Sequence, residues 1–152
     1  MKVEEKQEIL EFLKNHKLMS VGTYNKFPWA ANVFYLFDED FNLYFVSNPK
    51  TLHCMNIAKN PKVSVTVADS HQTGSSKKVG FQARGLATRV TGAKEVQGII
   101  KAWNKRKFDN TTLTYKVFMK VWNSRFYKIK LTDIKLFDEH QAEENEDRMW
   151  KI

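Results

Sequence analysis

Near the start of the chain Ile9, Leu10, Phe12 and Leu13 fall on one stripe, with Glu4, Glu5, Glu8 and Lys14 off it. That spacing predicts a helix over residues 3 to 15 whose apolar stripe lies on a core. Acids crowd its first turns, where the helix dipole favours negative charge. From Lys17 the texture changes to Leu18-Met-Ser-Val-Gly-Thr-Tyr24, a break at Asn25 to Pro28, and then Trp29 to Phe37. After a turn at Asp38-Glu-Asp-Phe41 comes Asn42-Leu-Tyr-Phe-Val-Ser47, so residues 17 to 47 read as a three-stranded meander whose middle strand is apolar on both faces. A short helix fits residues 52 to 59, entered through Asn48-Pro-Lys-Thr51 and stopped by Asn60-Pro61.

Val63, Val65 and Val67 alternate with Ser64 and Thr66, the mark of a half-buried strand. A polar loop at residues 70 to 77 leads into a long strand, Lys78 to Val90, whose alternation shifts phase around Gly85 and so predicts a bulge or bend there. Ala93 to Arg106 has Val96, Ile99, Ile100 and Trp103 on one helical face. Residues 109 to 122 read as a loop and a short helix, and Tyr127, Ile129 and Leu131 as a strand. Beyond Thr132-Asp133, Ile134 and Leu136 read as a last hairpin-like segment. The order lacks the strand-helix alternation of a parallel sheet, so the expected fold is mainly β: an antiparallel barrel with flanking helices, in one domain over residues 1 to 152.

Composition narrows the functional classes. At 152 residues and 42 % apolar the chain can build a real core. Its longest apolar run, Val33 to Phe37, is far below the roughly 18 to 20 residues of a membrane-spanning helix, and with no signal-like start the expected location is cytoplasmic. One cysteine, Cys54, allows no internal disulfide and no multi-thiolate site, so no metal is expected, and a buried, inert thiol is the plain reading. The net charge is +8, but six acids sit in the tail from residue 138 to 152. Residues 1 to 137 hold 23 bases against 11 acids and should attract anions.

No Gly-x-Gly-x-x-Gly, Gly-x-x-x-x-Gly-Lys, His-Glu-x-x-His or Gly-x-Ser-x-Gly occurs, which removes the common dinucleotide, nucleotide-hydrolysing, metalloprotease and hydrolase patterns. The informative stretch is Val46-Ser-Asn-Pro-Lys-Thr-Leu-His-Cys-Met-Asn-Ile-Ala-Lys-Asn-Pro61. A strand ends in the hydroxyl of Ser47, Lys50 precedes a helix start, Thr51 is a candidate N-cap, and His53 lies in the first turn. Those groups and the free N–H groups of the turn suit a phosphate dianion. The plainer reading is that Thr51 only caps the helix and Lys50 is a solvated charge.

The segments Trp29 to Asp38, Leu43-Tyr-Phe-Val-Ser47, Lys50-Thr-Leu-His53, Asn60-Pro-Lys-Val63 and Phe81-Gln-Ala-Arg-Gly85 come in an order that resembles the pyridoxamine 5'-phosphate oxidase-related, FMN-binding split-barrel family. The resemblance implies an antiparallel split β-barrel and a homodimer with FMN in the cleft between subunits. It places the ring beside Asn32, Val33 and Phe34, the ribityl-phosphate near Val46 and Ser47, and the phosphate at Lys50, Thr51 and His53. Where family oxidases carry Arg-Lys, this chain has Leu52-His53, so one fixed charge is lost and the other becomes an imidazole, which predicts flavin binding that weakens as pH rises. The family's Arg-x-His substrate motif is missing from Arg125-Phe-Tyr-Lys-Ile-Lys130, which argues against vitamin B6 oxidation.

The expected function is therefore a flavin-dependent oxidoreductase acting on a small molecule, with a nicotinamide nucleotide as a candidate electron donor and no catalytic side chain assigned. The alternative is a non-catalytic flavin or haem carrier of the same fold. Trp29, Trp103 and Trp122 read as core or interface residues and Arg84 as pointing outward; Trp150 either packs on the body or closes a partner's cleft. The bases of Lys101 to Lys107 read as a solvated helix face, so neither nucleic acid nor membrane is an expected partner.

Overall fold

A computed structural model describes residues 1–108, 112–121, 123–141 and 147–152. The elements are α1 (Val3–Asn15), β1 (Leu18–Asn25), β2 (Phe27–Phe37), β3 (Asn42–Ser47), α2 (Leu52–Lys59), β4 (Lys62–Ala68), β5 (Val79–Arg89), α3 (Ala93–Arg106), a π turn (Val117–Val121), β6 (Arg125–Asp138) and β7 (Asp147–Lys151). Six antiparallel strands run in the order β3-β2-β1-β4-β5-β6, and β3 pairs again with β6 to close a barrel. β7 adds to the far edge of β6.

Alternation explains the closure. Val63, Val65 and Val67 turn inward from β4, as do Met19 and Val21 from β1 and Leu43 and Phe45 from β3. They form one core with Ile9 and Leu13 of α1 and Cys54 and Ile57 of α2, so the two helices contribute directly to the barrel's packing. A second cluster lies outside the barrel, where α3 lays Val96, Ile99, Ile100 and Trp103 against Leu36, Phe118 and Phe126. Each side chain so buried contributes about 1.5 to 3 kcal/mol before entropy is counted.

The register of β5 against β6 shifts between Arg84 and Gly85, at the position where the sequence loses phase. Gly85 is required by close approach, because a Cβ there would collide with the Lys130 carbonyl and lie 2.9 Å from the Leu131 Cα. The expected terminal hairpin does not form. β6 is one continuous strand, and Thr132 is the extra residue opposite the bulge, which explains the break in alternation without a turn. A second departure is the acidic tail, whose end forms β7. Arg148 makes two hydrogen bonds with Glu8 of α1, at 2.7 and 2.9 Å, and Trp150 packs against the barrel core. Of the two readings for Trp150, the structure adopts packing on its own body. Trp103 is core, Trp29 is half exposed on the outer wall, and Trp122 lies outside the described residues. Among the described residues no helix is long and apolar enough to cross a membrane.

Candidate functional site

The bend between β3 and α2 brings Ser47, Thr51 and His53 together. Ser47 Oγ and His53 Nε2 share a hydrogen bond of 2.8 Å, and Thr51 Oγ1 lies 3.2 Å from each of them. Thr51 donates its hydroxyl proton to the Asn48 carbonyl at 2.8 Å, so towards Ser47 and His53 its oxygen can only accept. Thr51 occupies the N-cap position, yet its side chain gives α2 no cap bond. The first bond into the helix runs from Met55 N–H to the Thr51 carbonyl, and the N–H groups of Leu52, His53 and Cys54 have no acceptor among the described residues. Positive dipole, free N–H donors and the Ser47 hydroxyl therefore converge on one spot.

The plainer reading holds for Lys50, a solvated charge, while the Thr51 side chain gives α2 no cap bond. Lys50 stands apart from the cluster: it is exposed, and its backbone N–H donates to Asn48 Oδ1. His53 is buried beside Phe45, with ring centroids 6.2 Å apart. Beneath it lies Cys54, buried as expected. Burial pushes its thiol up, but hydrogen bonding with His53, Thr51, Tyr127 and Ser47 brings it below the ordinary thiol range. Tyr127 moves the other way, raised first by burial and then by its contact with Cys54.

The ring-strand residues border the same region. β2 and β3 pair only through Tyr35–Phe37 and Leu43–Phe45. Past that point the strands part, with Val33 and Phe34 on one side and Val46 and Ser47 on the other. Val33 packs inward on the barrel core, and Val46 packs outward on the α3 cluster. Phe34 is half exposed, its ring 5.2 Å from that of Phe108. Asn32 faces outward and accepts a hydrogen bond of 2.5 Å from Ser20 Oγ.

Two cations at this end of the barrel escaped the reading of the sequence. Arg125 is directly opposite Ser47 on the β3–β6 ladder, and Arg89 is directly opposite Tyr127 on β5–β6. Arg125 Nη1 donates to the Ser124 carbonyl at 2.7 Å, while its Nε is buried without a partner. Arg89 stands at the mouth of a cavity of about 360 Å³ whose walls include Cys54 and Tyr127. Both residues lie far from the motif in sequence, and only the barrel closure makes them neighbours. An uncapped helix start beside an orphaned guanidinium N–H suits an anionic ester, so the residues present fit the phosphate of FMN. Arg84, by contrast, points outward as expected, into a 2.8 Å ion pair with Asp133.

A larger cleft, about 770 Å³, lies elsewhere on the outer wall, bordered by Tyr24, Trp29, Leu86 and the Arg84–Asp133 pair. Among the described residues no three His, Cys, Asp or Glu side chains gather as a metal site.

Many solved structures share the fold, three of them as follows. ChuZ of Campylobacter jejuni aligns with TM-score 0.80 at 12 % identity over 99 % of this chain and 61 % of its own. General Stress Protein 26 of Bacillus anthracis aligns with TM-score 0.67 at 15 % identity over 99 % and 100 %. HutZ, the heme storage protein of Vibrio cholerae, aligns with TM-score 0.67 at 14 % identity over 86 % and 91 %. At such identities the likeness is one of fold. No curated protein matches the sequence. The pyridoxamine 5'-phosphate oxidase profile matches residues 5–137, nearly the whole barrel, and with the closed split barrel it makes this chain a member of the pyridoxamine 5'-phosphate oxidase family.

Proposed function

We propose that the protein binds FMN, with the phosphate in the bend between β3 and α2 and the ring along Asn32 to Phe34, and acts as a flavin-dependent oxidoreductase on a small molecule. The observation that carries this reading is the uncapped start of α2, where three N–H groups meet Ser47, Thr51 and His53. When bound, the flavin supplies the electron transfer. The chain's own residues hold and orient it: Ser47 presents its hydroxyl, the α2 backbone presents N–H groups, and Thr51, tied to the Asn48 carbonyl, holds the turn in place.

The same reading includes a homodimer. Tyr24, Trp29 and Leu86 leave large apolar side chains half exposed on the outer wall around the 770 Å³ cleft, and Phe27, at the start of β2, is exposed as well. A contiguous apolar face of that kind marks an interaction surface, and a second copy would cover it. A single domain working in the cytoplasm with a nicotinamide nucleotide as donor completes the proposal.

The test is the visible spectrum of the purified protein after reconstitution with FMN, followed by anaerobic addition of NADPH or NADH. Stoichiometric flavin that bleaches supports the oxidoreductase. Bound flavin that neither reductant bleaches supports a carrier, and failure to retain flavin at all refutes both. A haem-carrying version is the second reading, supported by the shared fold of a heme storage protein. It predicts a Soret band on titration with hemin and no retention of FMN.

A further inference from the structure

We infer that Arg125 selects the phosphate ester at this site, supplying from β6 the fixed positive charge that the start of α2 lacks. The inference rests on the FMN reading above. Ser47 and Arg125 are partners in the β3–β6 ladder, and residues directly opposite in an antiparallel pair carry Cβ atoms about 4.5 to 5.5 Å apart on one face. The next pair on that face, Phe45 and Tyr127, is buried in the barrel core with rings stacked at 5.2 Å. Arg125 and Ser47 therefore stand on the inward side at the barrel's rim, next to the entry of α2.

What sets this guanidinium apart is its missing counter-ion at the rim, since Arg106 and Arg148 also bury an unpaired Nε. Among the described residues it meets no carboxylate. Its Nη1 is held by the Ser124 carbonyl, and its buried Nε has no acceptor. A half-buried cation with an unused N–H is costly until an acceptor arrives, and a guanidinium fork matches a phosphate's oxygens two at a time. The other positive groups are less suited. Lys50 is solvated, and the His53 ring nitrogen is already shared with Ser47 and Thr51. Arg89 acts at longer range: with Arg125 it bears on the Tyr127 phenol, and it adds field without closing on Ser47.

The experiment is equilibrium titration of the full-length protein with FMN and with riboflavin, read by flavin fluorescence. Riboflavin has the same ring without the phosphate, so the ratio of the two affinities isolates the phosphate contact. The native protein is expected to prefer FMN at least tenfold. Arg125→Gln should lower FMN affinity about 10- to 100-fold, as loss of a charge-assisted contact does, and leave riboflavin within about twofold. Arg125→Lys should recover part of the loss, because it restores the charge but not the fork. Arg89→Gln should cost less than Arg125→Gln.

An unchanged FMN-to-riboflavin ratio in Arg125→Gln, with both flavins still bound, overturns the role of Arg125 and leaves the FMN reading standing. If the native protein binds neither flavin, the FMN reading itself fails, and this inference with it. Should Arg125→Gln not fold, Arg125→Lys carries the test: a loss of about threefold or more for FMN alone supports the role, and no loss overturns it.

Discussion

Two helix ends in this molecule are finished in opposite ways. At the C-terminus of α1 the carbonyls are taken by side chains from across the fold. The Tyr35 hydroxyl donates to Leu13 at 2.9 Å, and Arg106 Nη2 donates to Leu13 and His16 at 3.0 and 2.7 Å. Arg106 also lies over the rings of Tyr35, Phe37 and Phe108, 5.2 to 5.8 Å from their centroids. At the N-terminus of α2 no described residue fills the equivalent need: the candidate cap makes no side-chain cap bond, three N–H groups have no acceptor, and Arg125, opposite Ser47, has a buried Nε without a partner. The first end answers a negative dipole from within and stabilises the fold. The second leaves a positive dipole at a strand end whose ladder partner is Arg125, an arrangement that suits an anion.

The largest expected effect breaks the finished end. Arg106→Ala should destabilise the protein by about 2 to 3 kcal/mol in urea denaturation, because it strands the His16 carbonyl, leaves Leu13 with the Tyr35 hydroxyl alone and strips three aromatic faces. Arg125→Ala in the absence of ligand should stay within about 0.5 kcal/mol of native or be more stable, since it removes a charge that no partner compensates. Equal losses for the two would erase the contrast.

Thr51→Asp sharpens it from the other side. A carboxylate at the N-cap should accept the free N–H groups of α2 and raise stability by about 0.5 to 1 kcal/mol, while like-charge repulsion removes FMN binding. Gain of stability with flavin affinity intact would mean that the helix start is not the anion site.

A third arginine calibrates the pair and carries the smallest effect. Asp133 is pulled down to about 2, first by its hydrogen bonds from Arg84 and then by Thr132. Because the folded value is depressed, the pair's contribution is present above the ordinary carboxylate range near 3.9 and is lost as pH falls from about 4 through 2. An NMR titration should place the Asp133 midpoint near 2 and move it towards about 3.9 in Arg84→Gln. Arg84 is largely exposed, so stability at neutral pH should barely change.

Local pattern carried most of the elements into view. The bounds of α1, β3, α2 and α3 follow from periodicity and from Asn60-Pro61, and the phase shift at Gly85 located the bulge. Local pattern also found Ser47, Thr51 and His53, because a strand end and a helix start separated by a short turn are close whatever the rest of the chain does. What it could not show depends on strand partners. The β3–β6 ladder that closes the barrel, the continuity of β6 through Thr132, and β7 are pairings between distant segments, with no signature inside either one. Arg125 belongs to this second kind. It reads as the first base of a basic strand until the register sets it opposite Ser47. Lys50, also next to the bend in sequence, is exposed, and among the described residues its side chain makes no bond to Ser47, Thr51 or His53.

The central claim is that the bend from β3 into α2 receives a phosphate dianion. It is tested most directly by a crystal structure of the protein grown with saturating FMN. The account predicts phosphate oxygens within hydrogen-bonding distance of Ser47 Oγ and of the N–H groups that open α2, with the isoalloxazine along Asn32 to Phe34. Flavin bound with its phosphate away from residues 47 to 54, or a bend still closed by the Ser47–Thr51–His53 contacts at full flavin occupancy, would contradict it.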